Sequence, residues 1–330
     1  MKILITGANG FVGSNLVESF VKQGYHVRCL AHKNVSKWLS GLPGIELTCG
    51  DVSKKETIIE SVKKVDFVFH TAGTLRAINS KTYYETNQTG TRNLIESVHE
   101  HNNNLKMFVY ISSQAAMGPC DGFTYKSDMQ DCAPVSEYGK SKLSGESEVL
   151  KFKDTLPVVI LRPSAIYGPR DKDIFPFFKM ANSGFFPILN GSNNGTESYL
   201  QLLLVDDLVR LCSKIVSNPG LVKNRIYYVS DEKAYTWKDI GSIVSGILDK
   251  KVRTIKIPGW LMKTIAVISE KTMQLQGKPA LLNRDKISEL TRQYWLGDNT
   301  KTKSDFNYNF TPFIDGVKYT LDWYKKNNWL

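Results

Sequence analysis

A chain of 330 residues, 42% hydrophobic and carrying a net charge of +11, has material for one large or two moderate domains with ample core. Its five cysteines lack close pairing, which argues against a disulfide framework, and Cys120 and Cys132 stand too isolated for a zinc site, so no metal is expected. Lysines and arginines are scattered, not blocked, which speaks against nucleic acid, and the glycine-broken start "MKILITGANG" does not read as a signal peptide, so a cytoplasmic protein is expected.

In chain order, "KILIT" reads as a buried strand, "GANGFVG" as a turn and "FVGSNLVESFVKQG" as an amphipathic helix. "HVRCLA" and "IELTCGD" are the next strands. "KKETIIESVKKV" is expected as one helix leading into the strand "DFVFHTAG". "NQTGTRNLIESVHEH" follows as a helix, "HNNN" as a polar loop and "KMFVYISS" as a strand. A helix carrying Tyr138 and the strand "PVVILRP" complete this half. Strands alternating with helices predict an α/β fold: a doubly wound parallel sheet covered on both faces.

After about residue 165 prolines, glycines and asparagines thicken. "LQLLLVDDLVRLCSKIV" and "NRIYYVS" suggest a return to the sheet near 200–230. The expected organisation is a dinucleotide-binding Rossmann domain over 1–165 and, over 166–330, mainly a smaller, interleaved substrate-binding lobe. From about 232 mostly helix is expected. The apolar run "IPGWLMKTIAVIS" is shorter than the ~20 residues that span a bilayer, so a buried helix is expected and no stable membrane insertion. The tail "DWYKKNNWL" reads as an amphipathic helix with Trp323 and Tyr324 docked.

Gly7, Gly10 and Gly13 follow a strand and open a helix. Glycines there permit a tight turn and let backbone approach a pyrophosphate, which the helix N-terminus attracts. The second strand ends in Ala31 where an acid would hold a ribose 2′-OH, followed by His32 and Lys33, with Arg28 nearby. A 2′-phosphate is favoured by that charge pattern, so NADP is expected, with NAD left open. Further on, Tyr138 and Lys142 lie one helical turn apart on one face. A tyrosine titrates near pH 10, and a fixed ammonium beside it favours its anion.

With "TGANGFVG", "SS" closing a central strand and "YGKSK" in order, the chain resembles the extended short-chain dehydrogenase/reductase family. "CGDV", "HTAG", "NQTGT", "LRPSAIYGPRD", "VDDL" and "GVKYTLDWY" extend the likeness nearly end to end. It looks nearest to the NAD(P)-dependent epimerase/dehydratase group and its dihydroflavonol-reductase-like and hydroxysteroid-dehydrogenase-like relatives. That resemblance implies a nicotinamide cofactor lying along Gly7, Gly10, Phe11, Val12, Gly13, His32, Lys33, Asp51, Val52, Thr71, Ala72, Gly73, Asn87, Ser112, Tyr138, Lys142, Pro163 and Ile166. It implies Ser113, Tyr138 and Lys142 as the catalytic set. Tyr138 exchanges a proton with the substrate oxygen, Lys142 stabilises the phenolate, and Ser113 bonds the substrate oxygen. Ser112 is the neighbour expected to face away, since adjacent strand residues point to opposite sides. Gly73 departs from the family's usual second alanine. The likeness also implies a homodimer, and Gly139 and Gly145 read as close-approach positions.

The triad does not separate a reductase from a nucleotide-sugar epimerase. Epimerases commonly carry Arg-Asp before the "DDL" segment to clamp a diphosphate. Here Leu200 and Gln201 stand there, with Arg170, Arg284 and Arg292 as alternative cations. Dehydratases carry Asp-Glu after the hydroxyl; Gln114 and Ala115 occupy those positions. An NADP-dependent carbonyl reductase or alcohol dehydrogenase acting on a small molecule is therefore favoured, then an epimerase or dehydratase, then a silent NADP-binding regulator.

Overall fold

Short apolar runs become β1 (Lys2–Thr6), β2 (His26–Ala31), β3 (Ile45–Cys49), β4 (Phe67–His70), β5 (Met107–Ile111), β6 (Val158–Pro163) and β7 (Arg225–Val229) in a computed structural model that describes residues 1–32, 36–127, 132–190 and 197–330. All seven pair parallel in the order β7-β6-β5-β4-β1-β2-β3, a Rossmann-like doubly wound sheet flanked by helices. The chain order reverses beside β1, and open sheets of this kind bind ligands at such a switch point.

Both faces of the central strands are apolar, so successive residues feed two different cores. Ile3, Ile5, Phe67 and Phe69 pack with Phe20 and Leu208 on one face. Leu4, Val68, Phe108 and Tyr110 pack with Leu94 and Val98 on the other. Each fully buried side chain of this size stabilises by roughly 1.5–3 kcal/mol. Among these apolar residues His70 is buried between Thr6 Oγ1 at 2.7 Å and Thr91 Oγ1 at 2.9 Å. Burial pushes its pKa down to about 3, so it is a neutral tie between the ends of β1 and β4 and the following helix.

Three local expectations are corrected. "KKETIIESVKKV" forms only a 3₁₀ turn (Lys55–Thr57) and one α-helical turn (Ile59–Val62). Buried Arg28 takes the carbonyls of Glu60, Ser61 and Lys63, and Lys64 adopts φ 56°, so the helix stops there. "HNNN" is not simply a polar loop: Asn102 is buried and donates to the carbonyls of Val62 and Val65, both at 2.9 Å. The helix after β4 begins earlier than "NQTGT", as α-helix over Ser80–Tyr84, widens to a π-helix over Glu85–Gly90 and continues as α-helix over Thr91–His101. There Gly90 packs so tightly on Val52 that a Cβ would lie 2.7 Å from its Cγ2.

The C-terminal part builds a third core from Tyr167, Phe178, Phe186, Tyr235, Val244, Phe313 and Tyr324. The final helix (Phe313–Lys326) buries Tyr324 fully, while Trp323 is partly buried and packs on Trp38 and Trp329. The stretch after 232 is not all helix. "RTIKIP" (Arg253–Pro258) alternates apolar and polar residues at period two and pairs parallel with the strand Phe185–Asn190. The helix Gly259–Leu275, expected to be buried, covers only Met262 and Ala266. It rests on the edge of that small sheet and on the helix Arg284–Leu290, which shield one narrow stripe. Trp260 remains 68% exposed, Ile268 61% and Leu275 90%. Among the described residues no helix is long and apolar enough to cross a membrane.

Candidate active site

β1 ends at Thr6 and the chain turns through Gly7, whose φ of +67° is left-handed. Gly10 N–H closes the turn on Gly7 O at 2.9 Å, and Gly10 caps the first helix (Phe11–Lys22) without a side chain. A Cβ on Gly7 would fall 2.7 Å from Ala72 Cα, and one on Gly13 would fall 2.3 Å from Gly7 O. The glycines thus let the turn pack backbone against backbone, and the helix start, with its free N–H groups, borders the adjacent cavity. Such a cradle fits a dinucleotide pyrophosphate.

The cavity measures about 1200 Å³ and runs along the carboxyl ends of the strands. At one end lie the glycine turn, Ala31, His32, Asp51 and Val52; Thr71, Ala72 and Gly73 follow, then Ser113 and Tyr138, then Pro163 and Ile166. Phe11, Val12 and Ser112 line it too. Asn87 and Lys142 do not line it; they stand directly behind Gly73. A Cβ on Gly73 would lie 3.1 Å from Asn87 Oδ1 and 3.8 Å from Lys142 Nζ. Asn87 ties three segments together, accepting from Thr74 N–H at 2.8 Å and donating to Thr74 O and Ser141 Oγ. Lys33 lies outside the described residues.

At the adenosine end, Asp51 Oδ1 accepts from the Ser53 amide and hydroxyl, and Oδ2 lies 3.8 Å from His32 Nδ1. Partial burial opposes ionisation, yet the Ser53 bonds and His32 hold the Asp51 carboxyl below its usual range. Arg28 is not available there. It is buried against Glu46 at 2.9 Å and the three carbonyls already described.

Ser112 and Ser113 point to opposite sides, as alternation along a strand requires. Ser112 donates to Glu146 Oε1 at 2.5 Å, and Glu146 pairs with buried Arg162 at 2.7 Å. Ser113 caps the short helix Gln114–Met117, accepting from Ala115 N–H at 3.1 Å, and hydrogen-bonds the Tyr138 hydroxyl. Burial pushes the Tyr138 phenol up to about 12, opposed by that Ser113 bond. Lys142 is buried, donates to Ile111 O at 2.7 Å and sits 4.2 Å above the Tyr110 ring. Loss of water pushes its amine down to about 7 against the pull of Glu146. Gly139 and Gly145 make close approaches inside the chain. Cβ atoms there would lie 2.4 Å from Ala115 O and 2.3 Å from Asn87 O.

A group of residues that the sequence does not flag completes the site. The helix Arg284–Leu290 meets the start of the Tyr138 helix (Glu137–Leu150). Asp285 accepts from the amides of Glu137 at 2.6 Å and Tyr138 at 3.1 Å, while Glu289 accepts from Ser136 Oγ at 2.6 Å. Lys286 pairs with Glu289 at 2.9 Å and faces the cavity; the Glu289 carboxylate disfavours the Tyr138 phenolate and the Lys286 charge offsets it. "NRDKISEL" does announce a helix start through Asn283, which caps it, but nothing in the sequence joins it to Tyr138, 147 residues away.

The far end of the cavity is apolar: Phe177, Phe186, Trp237, Leu200, Leu281 and Leu282 line it. Gln201 is buried instead, accepting from Gly297 N–H at 2.7 Å. Of the alternative cations, Arg170 is bonded to Glu18 and Ser14 O, and Arg284 to Glu270 at 2.9 Å; Arg292 lines the cavity.

The model of a family described as the NAD dependent epimerase/dehydratase family matches residues 3–230. The chain is 27% identical to a ceramide reductase of Caulobacter vibrioides, with 99% of this chain and 96% of that protein aligned. It is 28% identical to a UDP-glucose 4-epimerase of Vibrio cholerae, over 82% and 83% of the two chains. Among solved structures, a UDP-glucose 4-epimerase of Thermotoga maritima superposes with a TM-score of 0.79 at 19% identity, covering 99% and 100% of the chains, a likeness of fold.

Proposed function

Because the chain belongs to the NAD dependent epimerase/dehydratase family, we propose that it is an NADP-dependent oxidoreductase that moves hydride between nicotinamide and a carbonyl or secondary alcohol on an apolar substrate. The observation that carries this reading is the substrate end of the cavity. Leu200 stands where an epimerase's clamping arginine would, among Phe177, Phe186, Trp237 and Leu282. A cavity with an apolar body and a few polar groups at one point holds a substrate by burial and orients it by hydrogen bonds. The similarity to a ceramide reductase agrees with an apolar substrate.

The glycine turn and the first helix would hold the pyrophosphate and His32 and Lys33 the 2′-phosphate, and Lys142, which stands behind Gly73 on Ile111 O, would turn towards the nicotinamide ribose to bond it. When bound, the nicotinamide supplies or accepts the hydride. The chain's own residues handle the proton. Tyr138 is a phenol at neutral pH and donates to a carbonyl oxygen as that oxygen gains charge. Ser113 Oγ, held by Ala115 N–H, bonds the same oxygen. In the oxidising direction the phenolate is needed, and the positive charges of Lys286 and of oxidised nicotinamide favour it.

The test is a cofactor titration with a turnover assay. NADPH is expected to bind more tightly than NADH and to reduce long-chain ketones. Tyr138→Phe is expected to lower turnover by about 10²–10⁴-fold while leaving cofactor affinity nearly intact. Equal or preferential NADH binding sinks the 2′-phosphate argument. A second reading, a nucleotide-sugar epimerase, is favoured by one observation: Arg292 faces the cavity and offers a cation for a diphosphate. Stabilisation by UDP-sugars, with ketones never reduced, would select it.

A further inference from the structure

The outward face of the helix Gly259–Leu275 is apolar. Trp260, Thr264, Ile268, Lys271 and Leu275 recur every three or four residues and so share one face turned away from the protein. Ile265 is exposed beside it, and so is Ile255 on the strand Arg253–Pro258. Ile255 and Ile257 alternate onto the same side of that strand, and Ile257 packs with the helix residues Met262 and Ala266. Phe185, in register with Arg253, is exposed on the same side. An exposed apolar face of this kind on a folded chain marks a contact surface.

Charge identifies the partner. Lys263 and Lys271 stand on the exposed side of the helix, Lys278 lies just past its end and Arg253 shares the strand side of Ile255, and all four are exposed. The only acid in the helix, Glu270, is already paired with Arg284. We propose that this face is a peripheral docking surface for an anionic lipid bilayer, on which the helix lies in the plane of the headgroups. At 17 residues the helix is about 25 Å long, too short to span, and Lys263, Glu270 and Lys271 forbid it from doing so. Tryptophan beside lysines over an aliphatic stripe suits the headgroup boundary, where the ring meets the acyl region and the ammonium groups meet phosphates. A second copy of the chain fits worse. Two-fold pairing through this patch would set each basic rim against itself.

Phe177, Trp237 and Leu282 line the cavity and also pack against Met262 and Ala266 on the buried side of the helix, so the helix lies against the apolar end of the cavity wall. Docking is independent of the chemistry proposed above, but together they describe an enzyme that takes its substrate from the bilayer.

The experiment is co-sedimentation of the full chain with vesicles of phosphatidylcholine alone or mixed with phosphatidylglycerol. Partition onto the mixed vesicles is expected to be about tenfold stronger or more and to weaken as salt is raised. The double variants Trp260→Ser/Ile268→Ser and Lys263→Glu/Lys271→Glu should each lose about tenfold or more of that partition. Both should keep the wild-type melting temperature and NADPH affinity, since these side chains are exposed and distant from the glycine turn. No binding to phosphatidylglycerol vesicles at low salt overturns the proposal, as does unchanged partition of both variants. So does a dimer that Trp260→Ser/Ile268→Ser dissociates, which would assign the face to a second copy. Turnover of a water-dispersed ketone without vesicles tests the oxidoreductase reading separately.

Discussion

Lys142 is an amine whose charge the fold disfavours. Its nitrogen has one carbonyl and one aromatic face for company, and its pKa is pushed down to about 7 by burial. The sign of the resulting pH dependence follows from linkage. The unfolded chain holds this proton up to about pH 10.4, whereas the folded chain releases it near 7. Lys142 thus penalises folding fully below its folded pKa, and the penalty fades as pH rises towards the unfolded value. We expect Lys142→Met to gain stability relative to the native chain as pH is lowered from about 10 to about 7. Melts of both proteins across that range check it; a constant difference would mean that the amine is not shifted. Ser113 shows how a residue role is legible in sequence. Alternation alone predicts that it and Ser112 face opposite sides, and the Glu146 and Tyr138 partners lie on those two sides. Asp285 was illegible because its role depends on two amides far away in the chain.

At the level of elements, glycine tells two different stories on two helices. On the Tyr138 helix, a Cβ at Gly145 would lie 2.3 Å from both Asn87 O and the Tyr110 hydroxyl. Gly145→Ala should cost about 1–3 kcal/mol by overpacking. On the helix Trp237–Leu248, a Cβ at Gly246 meets nothing within 4 Å. Gly246→Ala should stabilise by up to about 1 kcal/mol through helix propensity. Denaturant unfolding of the two variants checks both signs at once; a stable Gly145→Ala would mean that the helix can shift away from the strand. Strands were legible here because period-two and continuous apolar runs are local signals. The missed strand Arg253–Pro258 carried that signal faintly, and the shortened helix after β3 was cut by Arg28, a residue from another strand. Exposure of the helix Gly259–Leu275 is not legible in its residues because an apolar sequence does not say whether a partner is present.

Across the whole molecule, the parallel sheet followed from strand–helix alternation, whereas the substrate end of the cavity is assembled from segments around 165–186, 199–202, 237–244 and 281–295. No local pattern joins those segments. The lobe that carries Arg284–Leu290 reaches back to the Tyr138 helix through Asp285 and Glu289. Asp285→Ala should remove two N-terminal hydrogen bonds of the Tyr138 helix and cost about 1–2 kcal/mol. It should lower kcat while leaving the binding of the adenosine end unaffected. Thermal melts and NADPH titration check the two halves, and an unchanged kcat would restrict Asp285 to stability.

That same bridge sets an order in time. A chain emerging from synthesis exposes the Tyr138 helix, capped by its own Ser136, long before residue 285 exists to accept from its first two amides. Until that segment docks, the Glu137 and Tyr138 amides lack the carboxylate that accepts from them. On the acid–base role proposed for Tyr138, its helix start is thus complete only once residue 285 has arrived.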